Sequence, residues 1–292
     1  MRQTETDPLS AGPSRLARAV DSCFRRACWA AGLLGILLPL MIVAYLLYHG
    51  ARVLSWEFLT AAPSGYPLGM HGGIWPAIRG SAAMTGLALA MSVPLAVLSA
   101  VHLALYARSQ RFIAVMRFLA ECLAAVPALV FGVFGYSLLV VHFGFGVSLL
   151  AGAITLAMLI YPVILVGAHA SLCGVDSLLS HSALSMGVSR AYALRRVLLR
   201  QALPGIIAAT VLAGGHAFGS AAPIMFTATV VQTRGSLAMD SPVMALPTHL
   251  YHLVSEAVSF EHAYGTAFVL VAALLFANAC AYALRSQIRR AS

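Results

Sequence analysis

The sequence predicts an all-α integral membrane protein with six transmembrane helices and both termini in the cytoplasm. Three observations carry this. First, 61% of the 292 residues are hydrophobic and only 9% are charged, with a mean hydropathy of +0.89. The apolar share of a soluble domain is nearer one half. Second, no Asp, Glu, Lys or Arg occurs in residues 27–51, 80–107, 122–175, 201–233 or 262–284. Each run reaches the roughly 20 residues that cross a hydrocarbon core. The run 122–175 is too long for one span and is punctured by "HFGFG" (142–146), so it holds two. Third, the basic residues are all arginine, and they fall on alternate sides of these runs. With the N-terminus inside, fifteen arginines lie on the cytoplasmic side, and only Arg52, Arg79 and Arg234 lie outside. Cytoplasmic loops carry such an excess.

The net charge of +9 is spread over these inner loops with no folded basic domain behind it. It fits orientation and acidic lipid rather than nucleic acid. A cleavable leader does not fit, because the first apolar run follows five arginines and is long enough to remain a span. The five cysteines lack metal-ligand spacing and read as packing residues.

In chain order, residues 1–27 form a cytoplasmic tail and 28–50 the first span. Residues 51–76 form an outer segment whose Trp56, Phe58, Tyr66 and Trp75 suit the membrane boundary. The remaining spans occupy 77–285, and 286–292 is a basic cytoplasmic stop. The second span contains Pro94, and the third starts near Glu121 and carries Pro127. The fourth ends near Ala168, and the fifth runs from about Pro204 to Val231. Residues 232–260 form an outer loop of little apolar periodicity, which folds over the outer mouth. Prolines inside spans are tolerated where neighbours satisfy the freed carbonyls; Pro94, Pro127, Pro162 and Pro223 are either such kinks or openings toward a solute path. Glu121, one turn from Arg117, reads as a local ion pair.

The cytoplasmic segment 172–203 is the least expected feature. "HSALSMGVSRAYALRRVLLRQALPG" (181–205) sets four arginines within eleven positions after Gly187. It reads as two short helices meeting at Gly187. Asp176 or Ser177 caps the first, Gly187 ends it in left-handed conformation, and Ser189 caps the second. Leu194, Val197, Leu198 and Gln201 fall on one stripe and the arginines on another. Pro204 suits the first turn of the following span. The amphipathicity alone fits a membrane-surface helix equally well, but not a compact hairpin in one loop.

Here the chain resembles a family. Ala183 and Leu184, Gly187 three residues on, and a basic-apolar helix closing on Leu203–Pro204 resemble the cytoplasmic "EAA" loop of ATP-binding-cassette importer permeases. "GGIWPAIRGS" (72–81), "VPLAVLSAVHLALYA" (93–107), "VPALVFGVFGY" (126–136) and "HAFGSAAPIMFTA" (216–228) resemble, in order, segments of the PstA-type permease of phosphate importers. The resemblance covers about residues 55–290. It implies a type I importer permease (MetI-like) fold in the bacterial inner membrane. Ser182, Ala183, Leu184, Gly187, Arg190 and Pro204 would then belong to a loop that docks on the ATPase. The implied partners are an ATP-binding-cassette ATPase dimer, a second, PstC-like permease, a periplasmic phosphate-binding protein and membrane lipid. ATP and Mg would bind the ATPase, and this chain has no phosphate-cradling G-x-x-x-x-G-K-[ST] loop. The chain departs from the family where ionised residues stand. His216 and Ser220 replace an Arg and a Glu, His181 and Ser182 replace the acidic and alanine positions of the loop, and Asp176 replaces a proline. Val166 replaces an Arg, and His169 and Ala170 replace a Glu pair.

A permease breaks no bond. A partly dehydrated anion on its path needs fixed donors. Arg79 at the outer start of the second span is either such a donor, with a planar fork, or an arginine reaching to the interface. His216 and Ser220, at i and i+4, share a helix face. His216 is either a pH-dependent replacement for the arginine or a neutral packing group. Gly219 and Pro223 are placed to open the helix toward the path, while Thr227 and Thr229 either face it or bond back to their own helix. The expected function is ATP-driven phosphate import by alternating access. Another oxyanion such as molybdate or phosphonate, a secondary transporter, and a non-transporting subunit are the alternatives. No catalytic residue and no metal ligand is expected: the chain contains neither H-E-x-x-H nor G-x-S-x-G, nor any pair of carboxylates inside a span.

Overall fold

The computed structural model describes residues 15–176, 185–230 and 237–291. The chain divides into two units, Met1–Tyr48 and His49–Ser292. The first is, in its described part, most of helix α1 (Arg15–Ala51), which starts well before the expected span at Cys28 and is largely exposed.

The second unit begins with an outer cap. Helix α2 (Trp56–Thr60) starts where Ser55 Oγ accepts the Phe58 N–H at 3.0 Å. A two-stranded antiparallel ribbon follows, β1 (Pro63–Ser64) on β2 (His71–Gly72). Of the four expected boundary aromatics, Trp56, Tyr66 and Trp75 are exposed. Phe58 is not: it is 2% exposed and packs with Ile74, Ala77, Met244 and Leu246. A short helix beside the ribbon turns it inward, which periodicity in a 26-residue segment did not reveal.

Helix α3 (Trp75–Val101) continues as a π-helical turn, His102–Tyr106. Helix α4 (Gln110–Ala125) is capped by Ser109 Oγ and leads to α5 (Ala128–Gly135), which continues as the π-helix Tyr136–His142. Between them the chain bends by 91°. The residue before a proline resists the α conformation, and Val126 before Pro127 is extended, with ψ 130°. At Pro127, read from sequence as a kink or an opening, the third span is therefore sharply broken. Helix α6 (Leu149–Cys173) passes Ala168 by more than a turn.

On the far side of the undescribed residues, α7 (Arg190–Ala193) runs through a π-helical stretch (Leu194–Leu198) into α8 (Leu199–Gly219). Pro204 lies inside α8, not at its start, because the helix begins more than a turn earlier. The expected fifth span also stops short of Val231. It breaks at Ser220–Ala221, and α9 (Ala222–Thr227) follows with its own start. The outer segment expected to be an irregular loop holds helix α10 (Leu246–Ser255), preceded by a buried run, Val243–Ala245. Helix α11 (Phe260–Ala291) is the last. Among the described residues, five helices are long and apolar enough to cross a membrane, and the bent α4–α5 pair makes up to six.

Helix α6 is apolar all round, and its neighbours are correspondingly on several sides: it packs on α3, α4, α5, α8 and α9. Along α3 and α6, alanines at 88, 96, 100, 151 and 153 are fully buried, and small side chains let membrane helices approach closely. Buried irregular backbone must satisfy its own polar groups, and here it does so by capping helices. The N–H groups of Ser148, Leu149 and Leu150, at the start of α6, donate to the carbonyls of Thr227, Ser241 and Met239 at 3.0, 2.9 and 3.0 Å. The Ile74 and Trp75 N–H groups, at the start of α3, donate to the Phe58 and Ala61 carbonyls. The five cysteines, read as packing residues, are all exposed in this chain.

Candidate functional site

The break between α8 and α9 is where two of the separately quoted motifs meet. A Cβ on Gly132 of α5 would lie 2.8 Å from the Ala222 carbonyl and 2.9 Å from Pro223 Cα, so "VPALVFGVFGY" and "HAFGSAAPIMFTA" touch through a glycine. Two further glycines tighten the same region: Gly135 faces the Thr155 side chain and Gly152 faces the Ala228 methyl. Opening of the helix at Gly219 and Pro223, expected from sequence, is present. Helix α8 ends at Gly219, and Ser220 is extended with ψ 110°.

The hydroxyls at the break are engaged locally. Ser220 Oγ donates to the His216 carbonyl at 2.6 Å, Thr227 Oγ1 to the Pro223 carbonyl at 2.9 Å, and Thr229 Oγ1 to the Ile224 carbonyl at 3.0 Å. Both threonines thus take the back-bonded alternative. His216 is exposed, Pro223 is buried, and Gly219 lies beside Leu274 of α11. Arg79 lies on α3, half-buried, with its guanidinium carbon 6.0 Å from the centre of the Trp75 ring, within range of a cation–π contact. No carboxylate pairs with it among the described residues. The contacts of Arg79 run to Trp75 and those of Ser220 to His216; among the described residues no hydrogen bond joins the two places.

Of the cytoplasmic segment, Ser182, Ala183 and Leu184 lie outside the described residues, as does Ser177. Gly187 is exposed with φ +78°, the left-handed conformation expected of it. Ser189 Oγ accepts the Tyr192 N–H at 3.3 Å, so the expected cap is formed. Arg190 opens α7. The apolar stripe holds at Leu194, Val197 and Leu198, but Gln201 is exposed alongside the arginines. The Arg117–Glu121 pair is present at 3.3 Å with both side chains half exposed.

Sequence reasoning missed the buried outer run and the histidine behind it. His249 on α10 is 4% exposed, and its Nδ1 has no hydrogen-bond partner. Burial, then the neighbouring His252 and His262, push its pKa down from 6.5 to about 4. The signal available was "VMALPTH": an apolar run ending in a proline, which occupies the first turn of α10. A histidine held neutral in the fold but free to ionise when unfolded contributes stability above pH 6.5 that is lost as pH falls toward 4. The expected loss across that window is about 3 kcal/mol. Thermal unfolding of the purified protein at pH 7.5, 6 and 4.5 measures it, and His249→Leu should flatten the curve.

Residues 92–291 match the family model described as "binding-protein-dependent transport system inner membrane component". The chain belongs to that family. This permease is a multi-pass inner-membrane subunit of an ABC importer. It is not an enzyme, since ATP hydrolysis in such importers belongs to a separate subunit. It is 28% identical over 293 residues to the probable ABC transporter permease protein YqgI of Bacillus subtilis, covering 94% of each chain. It is 27% identical to the phosphate transport system permease protein PstA 2 of Mycobacterium bovis (88% of this chain, 85% of the relative). It is 32% identical to the phosphate transport system permease protein PstA of Xylella fastidiosa (63% and 64%). The PstA-type resemblance is thereby borne out. Among solved structures, the permease fold matches a chain of a bacterial alginate ABC transporter in complex with an alginate-bound periplasmic protein. The TM-score is 0.61 at 15% identity, with 93% of this chain and 99% of that one covered. It also matches a chain of the inward-facing MetNI methionine ABC transporter, with a TM-score of 0.56 at 15% identity over 74% and 94%. The MetI-like importer fold expected from sequence is thus the observed one.

Proposed function

We propose that this permease carries inorganic phosphate inward by alternating access, paired with a PstC-like permease and served by a periplasmic phosphate-binding protein. The observation that carries the reading is the set of PstA relatives at 27–32% identity. Both termini and the hairpin around Gly187 face the cytoplasm, on the distribution of arginines. Two ATPase subunits close on ATP and move the hairpin through Ser182, Ala183, Leu184, Gly187 and Arg190, and the helical run from Arg190 transmits the motion along α8 through Pro204. Arg79, held over Trp75 at the outer end of α3, meets the incoming anion. The broken α8–α9 helix, from His216 and Gly219 through Ser220 to Pro223, lines its path with backbone groups, since the Ser220 hydroxyl is already committed to its own helix. His216 and Ser220 stand where PstA-type permeases carry Arg and Glu, which favours a second reading with another tetrahedral oxyanion as cargo.

The test is radiolabelled phosphate uptake in cells lacking their own high-affinity phosphate importers, expressing this chain with its neighbouring genes. ATP-dependent uptake establishes the cargo. An inserted chain that co-purifies with an ATPase yet moves no phosphate discards it and leaves molybdate and phosphonate as the next substrates to offer.

A further inference from the structure

Helices α4 and α5 meet at 91°, so at most one of them can stand near the membrane normal. The charges decide which. Helix α4 carries Arg111, Arg117 and Glu121, whereas α5 and its π-helical continuation carry no charged residue other than His142 at the end. Helix α4 is also amphipathic, with Phe112, Val115, Phe118, Leu119 and Leu123 exposed. A charged, amphipathic helix set across an apolar one belongs in the interface plane.

Beneath it lies a cavity of about 560 Å³, open to the side, between α3, α4 and α6. Its walls are Leu98 and Leu103 from the α3 end, Phe112 and Leu119 from α4, and Leu165 from α6. Leu98 and Leu119 are 67% and 47% exposed, so the chain leaves this apolar surface uncovered. The polar atoms are few. Tyr161 Oη donates to Ser99 Oγ at 2.9 Å, and His102 is exposed at the π-helical turn. Exposed Arg108, in the turn before α4, and exposed Arg111, in its first turn, flank the lining residue Phe112 in sequence. Neither pairs with a carboxylate among the described residues, and Glu121 on the same helix is engaged by Arg117. The ligand that matches is a long apolar chain with a negative head at the cytoplasmic boundary.

We propose that the groove between α3, α4 and α6 holds an acyl chain of an anionic inner-leaflet phospholipid whose phosphate is held by Arg108 and Arg111. The orientation rests on the proposed topology, but the binding does not depend on what the permease transports. Retention of lipid by the assembled transporter tests it. The complex is reconstituted in nanodiscs containing phosphatidylglycerol and phosphatidylcholine, stripped with detergent, and read by native mass spectrometry. One phosphatidylglycerol should survive on this subunit in preference to phosphatidylcholine. Arg108→Gln with Arg111→Gln should weaken its retention by about thirtyfold. Leu119→Trp, which fills the groove from an exposed position, should also release it with both arginines intact. Equal retention of the two lipids, or retention unmoved by either change, overturns the proposal. So does a photo-crosslinker at Leu119 that captures a partner permease helix instead of lipid. Phosphate uptake is scored separately: loss of cargo with lipid retained sinks only the transport reading, and the reverse sinks only the lipid site.

Discussion

Uptake by the assembled importer should fall at least about tenfold on Gly187→Asp, while the amount of inserted chain stays unchanged. The two halves of that expectation have separate physical sources. Gly187 has φ +78°, and among the described residues beyond its chain neighbours no atom lies within 4 Å of the place where a Cβ would stand. A side chain therefore meets no clash, and the helices of the membrane region are not disturbed. The cost lies in the backbone, since an L-residue held in left-handed conformation gives up about 1–2 kcal/mol. The turn can escape that cost by changing its angle, and the angle is what the proposed docking on the ATPase requires. Gly187→Val tests the geometry: aspartate is among the L-residues that tolerate the left-handed region best, whereas β-branched valine does not, so Val should lose more uptake than Asp. Equal losses in both variants would assign the effect to contact with the partner surface instead. Co-purification of the ATPase with each variant shows whether docking or only its transmission is lost.

Gly187 and the Ser189 cap were legible in sequence because capping is local chemistry, settled by residues within one turn. The spans of α3, α6 and α11 were legible for a different reason: an uncharged run of sufficient length has few other places to go. Both signals fail where the chain is apolar throughout but not straight. In "HAFGSAAPIMFTATVV", Gly219 and Pro223 signal an opening but not its place at Ser220–Ala221, where Ala222 and Pro223 then pack on Gly132. The bend at Pro127 was signalled by the proline but not its size, which follows from α4 lying against α6. Pro204 was misplaced for the converse reason. It fits a first turn, yet the basic stretch before it is already helical and runs straight into the membrane. Phe58 and His249 depended on a fold-back of the outer segments, with partners nearly two hundred residues away, which no local pattern carries. Of the expected path residues, only the opening at Gly219–Pro223 could be foreseen. The engagement of Ser220 with its own helix and of Arg79 with Trp75 depends on rotamers that spacing does not fix.

The second large effect belongs to Gly80, one turn into α3. A Cβ there would run into the Met244 carbonyl oxygen, closer than any real Cβ contact. The obstacle is backbone, 2% exposed at Met244, and it cannot swing aside as a side-chain tip can. The next residue fixes the same segment from α3: Ser81 Oγ accepts the Leu246 N–H at 2.8 Å across 165 residues of chain. On its other side, the Val243 N–H donates to the Ala228 carbonyl at 2.9 Å. Gly80→Val must push the segment away from α3, which overpacks the outer core and strips the Leu246 N–H of its acceptor. Overpacking costs about 1–3 kcal/mol and an orphaned buried donor about 1–3 kcal/mol more, so a loss of about 3 kcal/mol or greater is expected. Thermal unfolding of the detergent-solubilised protein measures it, and protease cleavage in 237–246 should rise in parallel. Gly86 provides the comparison on the same helix, since nothing lies within 4 Å of its Cβ position. Gly86→Ala should raise stability by about 0.5–1 kcal/mol, as removal of a helix-interior glycine does. If Gly80→Val proved as mild as Gly86→Ala, the outer segment would not be seated on α3. The capping of α6 by the Ser241 and Met239 carbonyls would then have to hold that segment unaided.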